Sequence, residues 1–268
     1  MDLQIETTNK CQCRCTFCLR SLEPPMVPTV IEDDVFKKIV ISAKEMNIQN
    51  VYLTGLGDPF FDPKLEGRIA LVRKHLPRAA IVIYTNGILA TRERLESCIM
   101  HGLDICYFSL NAGTEEVHEQ VMGIKGKFEI VRENLKSALS LNLEALISVV
   151  LGGQFLETGE YDEVLKQWPP ELVYGHTAGN WAGRIYRLNY TPTRNHCRWY
   201  HEQMYFNLNG DLCLCCLDPY GKFGFGNIME EGQSVKGLWF GVKRNDFLRR
   251  LEDYGRGKLI PCSGCTTI

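Results

Sequence analysis

The sequence predicts an α/β fold: strands alternating with helices over the first two thirds of the chain, then a small C-terminal unit of β-hairpin and helix. Three observations predict it. Short β-rich runs alternate with helical patterns from Leu3 to His176. The dipeptide Asn209-Gly210 separates two apolar runs, a strong hairpin signal. And 268 residues, 45% of them hydrophobic, are enough to bury a sizeable core.

The strand runs are Leu3–Thr8, Asn50–Thr54, Ala80–Thr85, Ile105–Leu110, Ala145–Leu151 and Leu172–His176. Helical patterns fall at Asp33–Met46, Lys64–His75, Arg92–Met100, Phe128–Leu141 and Tyr161–Gln167. Strand followed by helix implies parallel pairing through right-handed crossovers. The spacing is too irregular for a repeat protein. Beyond residue 185, Met204–Leu208 and Leu212–Leu217 flank the hairpin turn, and Val235–Tyr254 reads as helix. This divides the chain into domains 1–185 and 186–268.

Charge and hydropathy narrow the function. Thirty basic against 32 acidic residues leave a net charge of -2, which excludes the broad basic face that duplex nucleic acid requires. Apolar runs such as Ala145–Leu151 are too short to span a membrane. MDLQIETTNK has no export signal, so a cytoplasmic protein with reduced thiols is expected. Its twelve cysteines are then metal ligands or catalysts before they are a disulfide framework.

Those cysteines form two knots. Cys11, Cys13, Cys15 and Cys18 crowd the N-terminus. Cys197, Cys213, Cys215 and Cys216, joined by Cys262 and Cys265, occupy the end of the chain, and Cys98 and Cys106 stand apart. Thiolates select zinc, copper(I) or iron–sulfur clusters. Cys11-x-x-x-Cys15-x-x-Cys18 can fold around one cubane and leave its fourth iron without a protein ligand, the mark of a reactive centre. Half of a zinc site, completed by a distant cysteine, is the alternative. A hairpin with a cysteine near its base plus Cys262-x-x-Cys265 can hold four thiolates around zinc or a cubane.

With Phe17 just before its last cysteine, the first knot resembles the cluster loop of the radical S-adenosylmethionine (SAM) superfamily. The resemblance implies a partial (β/α)6 TIM-like barrel. It also implies a 4Fe–4S cluster on Cys11, Cys15 and Cys18 whose open iron is chelated by SAM, reductively cleaved to a 5′-deoxyadenosyl radical. In such barrels chemistry gathers at the C-terminal ends of the strands, and the loops there fit. Thr54-Gly55-Leu56-Gly57-Asp58-Pro59 is similar to the family's Gly-x-Gly-Glu-Pro element, which holds the SAM amino group. Here Asp58 replaces the glutamate and reaches one methylene less. Taken alone, this loop is equally a glycine turn with a solvated aspartate. Ser109 and Asn111 are expected to touch SAM, Gly152 to admit the adenine, and Asn86 to contact SAM or substrate. HTAGNWAGR (176–184) resembles a pocket-lining stretch, which makes Asn180, Trp181 and Arg184 candidate substrate contacts. Each also has an ordinary reading as turn, buried aromatic or solvated cation. Arg187, Arg194 and Arg198 read as a solvated face or as partners for an anionic substrate.

Cys197-x12-Gly210-x4-Cys215 is similar to the opening of the SPASM auxiliary-cluster domain, and Gly226-Asn227-Ile228 fits the same template. The chain ends three residues after Cys265, as in the shortened, single-cluster twitch form. The resemblance therefore assigns Cys197, Cys215, Cys262 and Cys265 to one auxiliary 4Fe–4S cluster. It implies an enzyme with two clusters and SAM, fed electrons by a flavodoxin or ferredoxin. The leading reaction is oxidation of an alcohol on an aminocyclitol or sugar, as in the 2-deoxy-scyllo-inosamine dehydrogenase type. The runner-up is an epimerase that uses Cys213 or Cys216 as hydrogen donor. Modification of a ribosomal peptide is a third reading, disfavoured because the cysteine loop begins at residue 11 and leaves no room for a peptide-recognition domain. A zinc-binding interaction module is the non-enzyme alternative.

Overall fold

Six parallel strands are laid down in chain order: β1 (Asp2–Ile5), β2 (Asn50–Leu53), β3 (Ala80–Thr85), β4 (Ile105–Ser109), β5 (Glu144–Leu151) and β6 (Val173–Thr177). β7 (Gln203–Phe206), β8 (Asp211–Cys213) and β9 (Gly226–Asn227) follow. The computed structural model describes every residue except 26, 142, 152–158, 178, 185–196 and 266–268. Within it all nine strands form one sheet, in the order β6-β5-β4-β3-β2-β1-β7-β8-β9. β1 to β6 make the expected partial barrel, open because β6 and β1 do not pair. The free side of β1 is taken by β7, parallel and in register from Asp2↔Gln203 to Ile5↔Phe206. β8 and β9 complete the expected hairpin unit antiparallel to β7. The expected boundary at 185/186 lies outside the described residues, and the two regions share a backbone ladder.

Helices α1 (Leu19–Leu22), α2 (Asp33–Ser42), α3 (Leu65–His75), α4 (Arg92–Met100), α5 (Glu115–Met122), α6 (Phe128–Ser140) and α7 (Glu160–Gln167) accompany the parallel strands. α8 (Arg198–Glu202), α9 (Val235–Trp239) and α10 (Val242–Tyr254) belong to the C-terminal region. Period-two alternation sorts each strand's side chains. Leu3, Ile5, Val51, Leu53, Ile81, Ile83, Phe108 and Ile147 join the apolar core with the helices. Gln4, Tyr52, Tyr84, Tyr107, Ser109 and Ser148 face the concave interior instead. Truncating a core ring such as Phe108 to alanine costs about 3–5 kcal/mol.

Three local expectations are revised and one helix is added. The first strand stops at Ile5, because Thr7 and Thr8 leave the sheet to pair with the segment around Val30. α5, which the sequence reading left unassigned, ends at Gly123 in the left-handed region (φ 60°). Val235–Tyr254 is two helices, divided at Gly241 in extended backbone. The run Leu212–Leu217 is strand only to Cys213, after which Asp218 N donates to Cys215 O (3.0 Å) and places Cys215 and Cys216 on a turn. No helix among the described residues is long and apolar enough to cross a membrane.

Candidate active site

The backbone after β1 is fastened on three sides, ahead of the cysteines and along their loop. Ile31 N donates to Thr7 O (2.8 Å). Arg20 on α1 reaches back to Asn9 O (2.8 Å) and Cys13 O (3.3 Å). The C-terminal end of α5 receives Arg14 N at Met122 O (2.9 Å) and Thr16 N at Val121 O (3.0 Å). So held, the free thiols of Cys11, Cys15 and Cys18 are partly exposed and border one cavity of about 610 Å³. Cys11 Sγ receives hydrogen bonds from Cys13 N (3.4 Å) and Asn86 Nδ2 (3.5 Å). The buried Cys13 lies between Cys11 and Cys15; its thiol draws the Cys11 pKa down while its own is driven up. Burial pushes Cys18 up to about 12. Three thiols and two N–H donors to sulfur beside open space fit a cluster with one metal position left for an incoming ligand.

The loop after β2 packs directly on this backbone. A Cβ on Gly57 would lie 2.3 Å from Thr8 O, and one on Gly55 would lie 2.4 Å from Glu6 Cγ. The glycines are thus required by loop-on-loop packing, a reason the sequence reading, which looked to ligand approach, did not give. Asp58 has its carboxylate occupied locally: Oδ1 accepts from Phe60 N (3.0 Å), and Oδ2 from Thr85 Oγ1 (2.8 Å) and Asn86 N (2.7 Å). Burial raises its pKa, and these bonds oppose the rise. With one methylene fewer than glutamate, it locks the tip of β3 to the loop after β2. The buried Arg68–Asp62 pair (2.5 Å) anchors that loop from behind; removing one partner of such a pair costs about 3–5 kcal/mol.

Asn86, Ser109, Asn111, Phe17 and Trp181 all border the cavity. Asn86 Oδ1 accepts from Gln12 Nε2 (3.0 Å) and Ile88 N (3.1 Å), so this side chain also steadies the cysteine loop. Asn111 is left-handed (φ 58°) and its Oδ1 accepts from Val150 N (3.0 Å), joining the ends of β4 and β5. Trp181 Nε1 donates to Phe17 O (2.8 Å). Asn180 and Arg184, the other two expected substrate contacts, are not among the residues that border this cavity. Asn180 donates to Gly264 O (2.5 Å), while Arg184 pairs with the buried Asp218 (3.3 Å) and with Glu23 (3.8 Å). They tie residues 180–184 to the C-terminal region. Gly152, Arg187 and Arg194 lie outside the described residues. Arg198 borders the cavity and pairs with Glu202 (3.3 Å) and Asp2 (3.7 Å).

Sequence reasoning missed the cavity's aromatic lining. Tyr84 and Tyr107 stack with centroids 4.4 Å apart; Tyr52 lies 6.5 Å from Tyr84, and Tyr174 6.1 Å from Tyr107. The signal was available, because VYL, IYT, CYF and VYG repeat a tyrosine in an otherwise apolar strand. Glu6 was missed too. Buried behind the loop after β2, it accepts from Leu56 N (2.8 Å). Burial lifts its pKa to about 7 against the pull of that bond and of neighbouring Tyr205, which borders the cavity. A charged residue closing an apolar strand was the clue.

In the C-terminal region Cys197, Cys262 and Cys265 are buried, and the turn carrying Cys215 and Cys216 lies beside them. Cys265 lies near enough to the thiols of Cys197, Cys215 and Cys262 to raise their pKa values. Burial is the leading cause for each of three: Cys262 reaches about 12, Cys215 stands well above the ordinary range, and Cys197 is raised. A metal centre removes that penalty by replacing the protons. The donor set fits a four-thiolate centre. The spare thiols separate. Cys216 borders the cavity, with its pKa pushed up to about 12 by burial, whereas Cys213 is in the core with Sγ donating to Asp211 O (3.5 Å).

Comparison with known proteins agrees with both cysteine groups. Residues 5–165 match the radical SAM superfamily, and residues 197–266 match the SPASM iron–sulfur cluster-binding domain. A radical SAM module binds SAM and a 4Fe–4S cluster, and a SPASM module binds an auxiliary iron–sulfur cluster. The chain is 27% identical over 172 residues to a GTP 3′,8-cyclase of Heliobacterium modesticaldum, covering 62% of this chain and 52% of the cyclase. It thus spans about half the length of that relative. Over 268 residues it is 20% identical to an S-adenosyl-L-methionine-dependent 2-deoxy-scyllo-inosamine dehydrogenase of Niallia circulans, covering 99% of this chain and 92% of the dehydrogenase. The crystal structure of BtrN with AdoMet and 2-DOIA superposes with a TM-score of 0.72 at 20% identity, over 100% of this chain and 95% of that one. That likeness establishes the fold.

Proposed function

The chain belongs to the radical SAM superfamily, and from that premise we propose that it oxidises an alcohol on a small polar substrate, an aminocyclitol or sugar, by two electrons. One observation carries this reading: a single cavity is bordered on one side by Cys11, Cys15 and Cys18 and on another by the Cys216–Leu217 turn next to Cys215. A substrate lodged there lies between the two cysteine groups. The whole-length similarity to a dehydrogenase supports the same reaction.

In this reading Cys11, Cys15 and Cys18 hold the SAM-binding cluster, and Cys197, Cys215, Cys262 and Cys265 hold the auxiliary one. Their cofactors supply a radical that takes the carbinol hydrogen into 5′-deoxyadenosine and an acceptor for one electron; with the hydroxyl proton lost to a base, a carbonyl remains. The chain's own residues do the rest. Asn86 and Asn111 fix the loops that present SAM, Phe17 and Trp181 close one wall, and the hydroxyls of Tyr52, Tyr84 and Tyr107 bind a polar ring. Glu6, buried beside Tyr205, has a pKa near 7 that suits a base at neutral pH. A flavodoxin or ferredoxin supplies the electron for SAM cleavage.

Cys216 on the cavity wall favours a second reading, an epimerase in which this thiol returns a hydrogen atom to the opposite face. The test uses anaerobically reconstituted protein, SAM, reductant and carbon-deuterated aminocyclitols, sugars or peptides. Oxidation requires deuterium in 5′-deoxyadenosine and a product two hydrogens poorer, with Cys216→Ala still competent. An inverted, solvent-labelled product that disappears in Cys216→Ala replaces oxidation with epimerisation. Turnover of a peptide alone overturns the small-substrate class, and zinc in place of iron and sulfide overturns the enzyme.

A further inference from the structure

Among the described residues Arg256 is the largest fully buried side chain, 1% exposed. It sits in the short 3₁₀ turn Arg256–Lys258, immediately after α10 and shortly before Cys262. Its Nη2 donates to Cys265 O (3.5 Å), while its Nε and Nη1 are buried with no hydrogen-bond partner. No carboxylate pairs with it among the described residues. The groups that feel its charge are Cys197, Cys262 and Tyr200. An unpaired buried cation with two orphaned donors is costly, and native interiors do not keep one without a counter-group. Among the described residues, the sulfur ligands are the counter-groups at hand. A cubane on four thiolates carries two negative charges when oxidised and three when reduced, so a cation beside it both satisfies its own donors and favours the reduced form. Hydrogen bonds to the sulfurs act in the same direction.

We infer that Arg256 is a positioning residue for the auxiliary cluster, donating Nε–H and Nη1–H to its sulfur shell and raising its reduction potential so that it accepts the electron left by substrate oxidation. This rests on the assignment of Cys197, Cys215, Cys262 and Cys265 as its ligands. Neither the cysteine spacing nor the hairpin motif points to this arginine.

The experiment uses the full chain carrying Cys11→Ala, Cys15→Ala and Cys18→Ala, so that the auxiliary cluster alone is present. Iron and sulfide content is measured first; a chain that binds about four irons upholds the ligand assignment whatever Arg256 does, and one that binds none overturns both. EPR-monitored redox titration then compares this parent with Arg256→Gln and Arg256→Lys. Arg256→Gln is expected to lower the reduced-to-oxidised ratio at a fixed potential at least tenfold, about 59 mV for one electron; Arg256→Lys, which keeps the charge and loses the fork, lowers it less. A ratio within twofold of the parent in an iron-replete Arg256→Gln chain overturns the inference. Should that variant fail to load iron, the unsubstituted arginine decides. With guanidino-15N arginine incorporated, the reduced cluster shows 15N hyperfine coupling if Arg256 donates to it, and the absence of coupling overturns the inference.

Discussion

The two cysteine groups are built from the same ligand type and end in opposite environments. At the N-terminal group the thiols are partly exposed along a cavity wall, steadied by neutral donors, Cys13 N and Asn86 Nδ2. At the C-terminal group three of the four assigned thiols are buried, and their neighbour is the cation Arg256. On the proposed function, the contrast teaches what separates a centre that binds a small molecule from one that exchanges electrons. The first needs an approach and an unfilled position; the second needs enclosure and a field that sets its potential.

The most direct way to break this contrast is to remove one ligand from each side. Cys15→Ser is expected to reduce 5′-deoxyadenosine formation to background and to lose about half the bound iron. Cys262→Ser is expected to lose a similar share of iron, to retain SAM cleavage and to form no oxidised product. Chromatography of SAM products with iron analysis checks both, and equivalent behaviour of the two variants would remove the division of labour.

A smaller effect is expected at Glu6, which lies where the two regions meet, beside Tyr205 of β7. Its pKa is raised by burial from 4.5 to about 7. The folded chain therefore holds this proton over a range where the unfolded chain has released it. The associated stability is fully present below pH 4.5 and is lost as pH rises through 7, in total about 3 kcal/mol. Glu6→Gln cannot ionise, so the variant should gain stability relative to the native chain across that window. Denaturant titrations of the two metal-free chains at pH 4.5 and 7.5 measure it, and a pH-independent difference contradicts it.

The smallest expected effect sharpens the role of neutral donors at the open site. Asn86→Ala removes one donor to Cys11 and should weaken retention of the N-terminal cluster roughly 10–100-fold, leaving the auxiliary cluster in place. Chelator competition followed by iron content distinguishes the two.

The strand order, the loops carrying the cysteines and the hairpin at Asn209-Gly210 were legible because each depends on local pattern. Alternation places Leu3 and Ile5 outward whatever the neighbours are, and Asn-Gly turns a chain wherever strands flank it. The tethers made by Asn180 and Arg184 were not legible, because polarity in a turn does not tell a ligand contact from a tether. Their partners, Gly264 and Asp218, are distant in sequence. Asp58 borders the cavity and at the same time accepts from Thr85, a partnership that only packing decides. Arg256 was illegible for a related reason. A lone arginine in a helical C-terminal stretch reads as surface, and its burial follows from the turn that brings Cys262 and Cys265 back to Cys197.

β1 is four residues long and is hydrogen-bonded on both edges, to Asn50–Leu53 and to Gln203–Phe206. It therefore works as a ruler between the reactive centres. Inserting a single residue into it would slide the barrel against the hairpin by about 3.3 Å and turn every side chain on that strand to the other face. The spacing between the two cysteine groups is written into the pleat of one short strand.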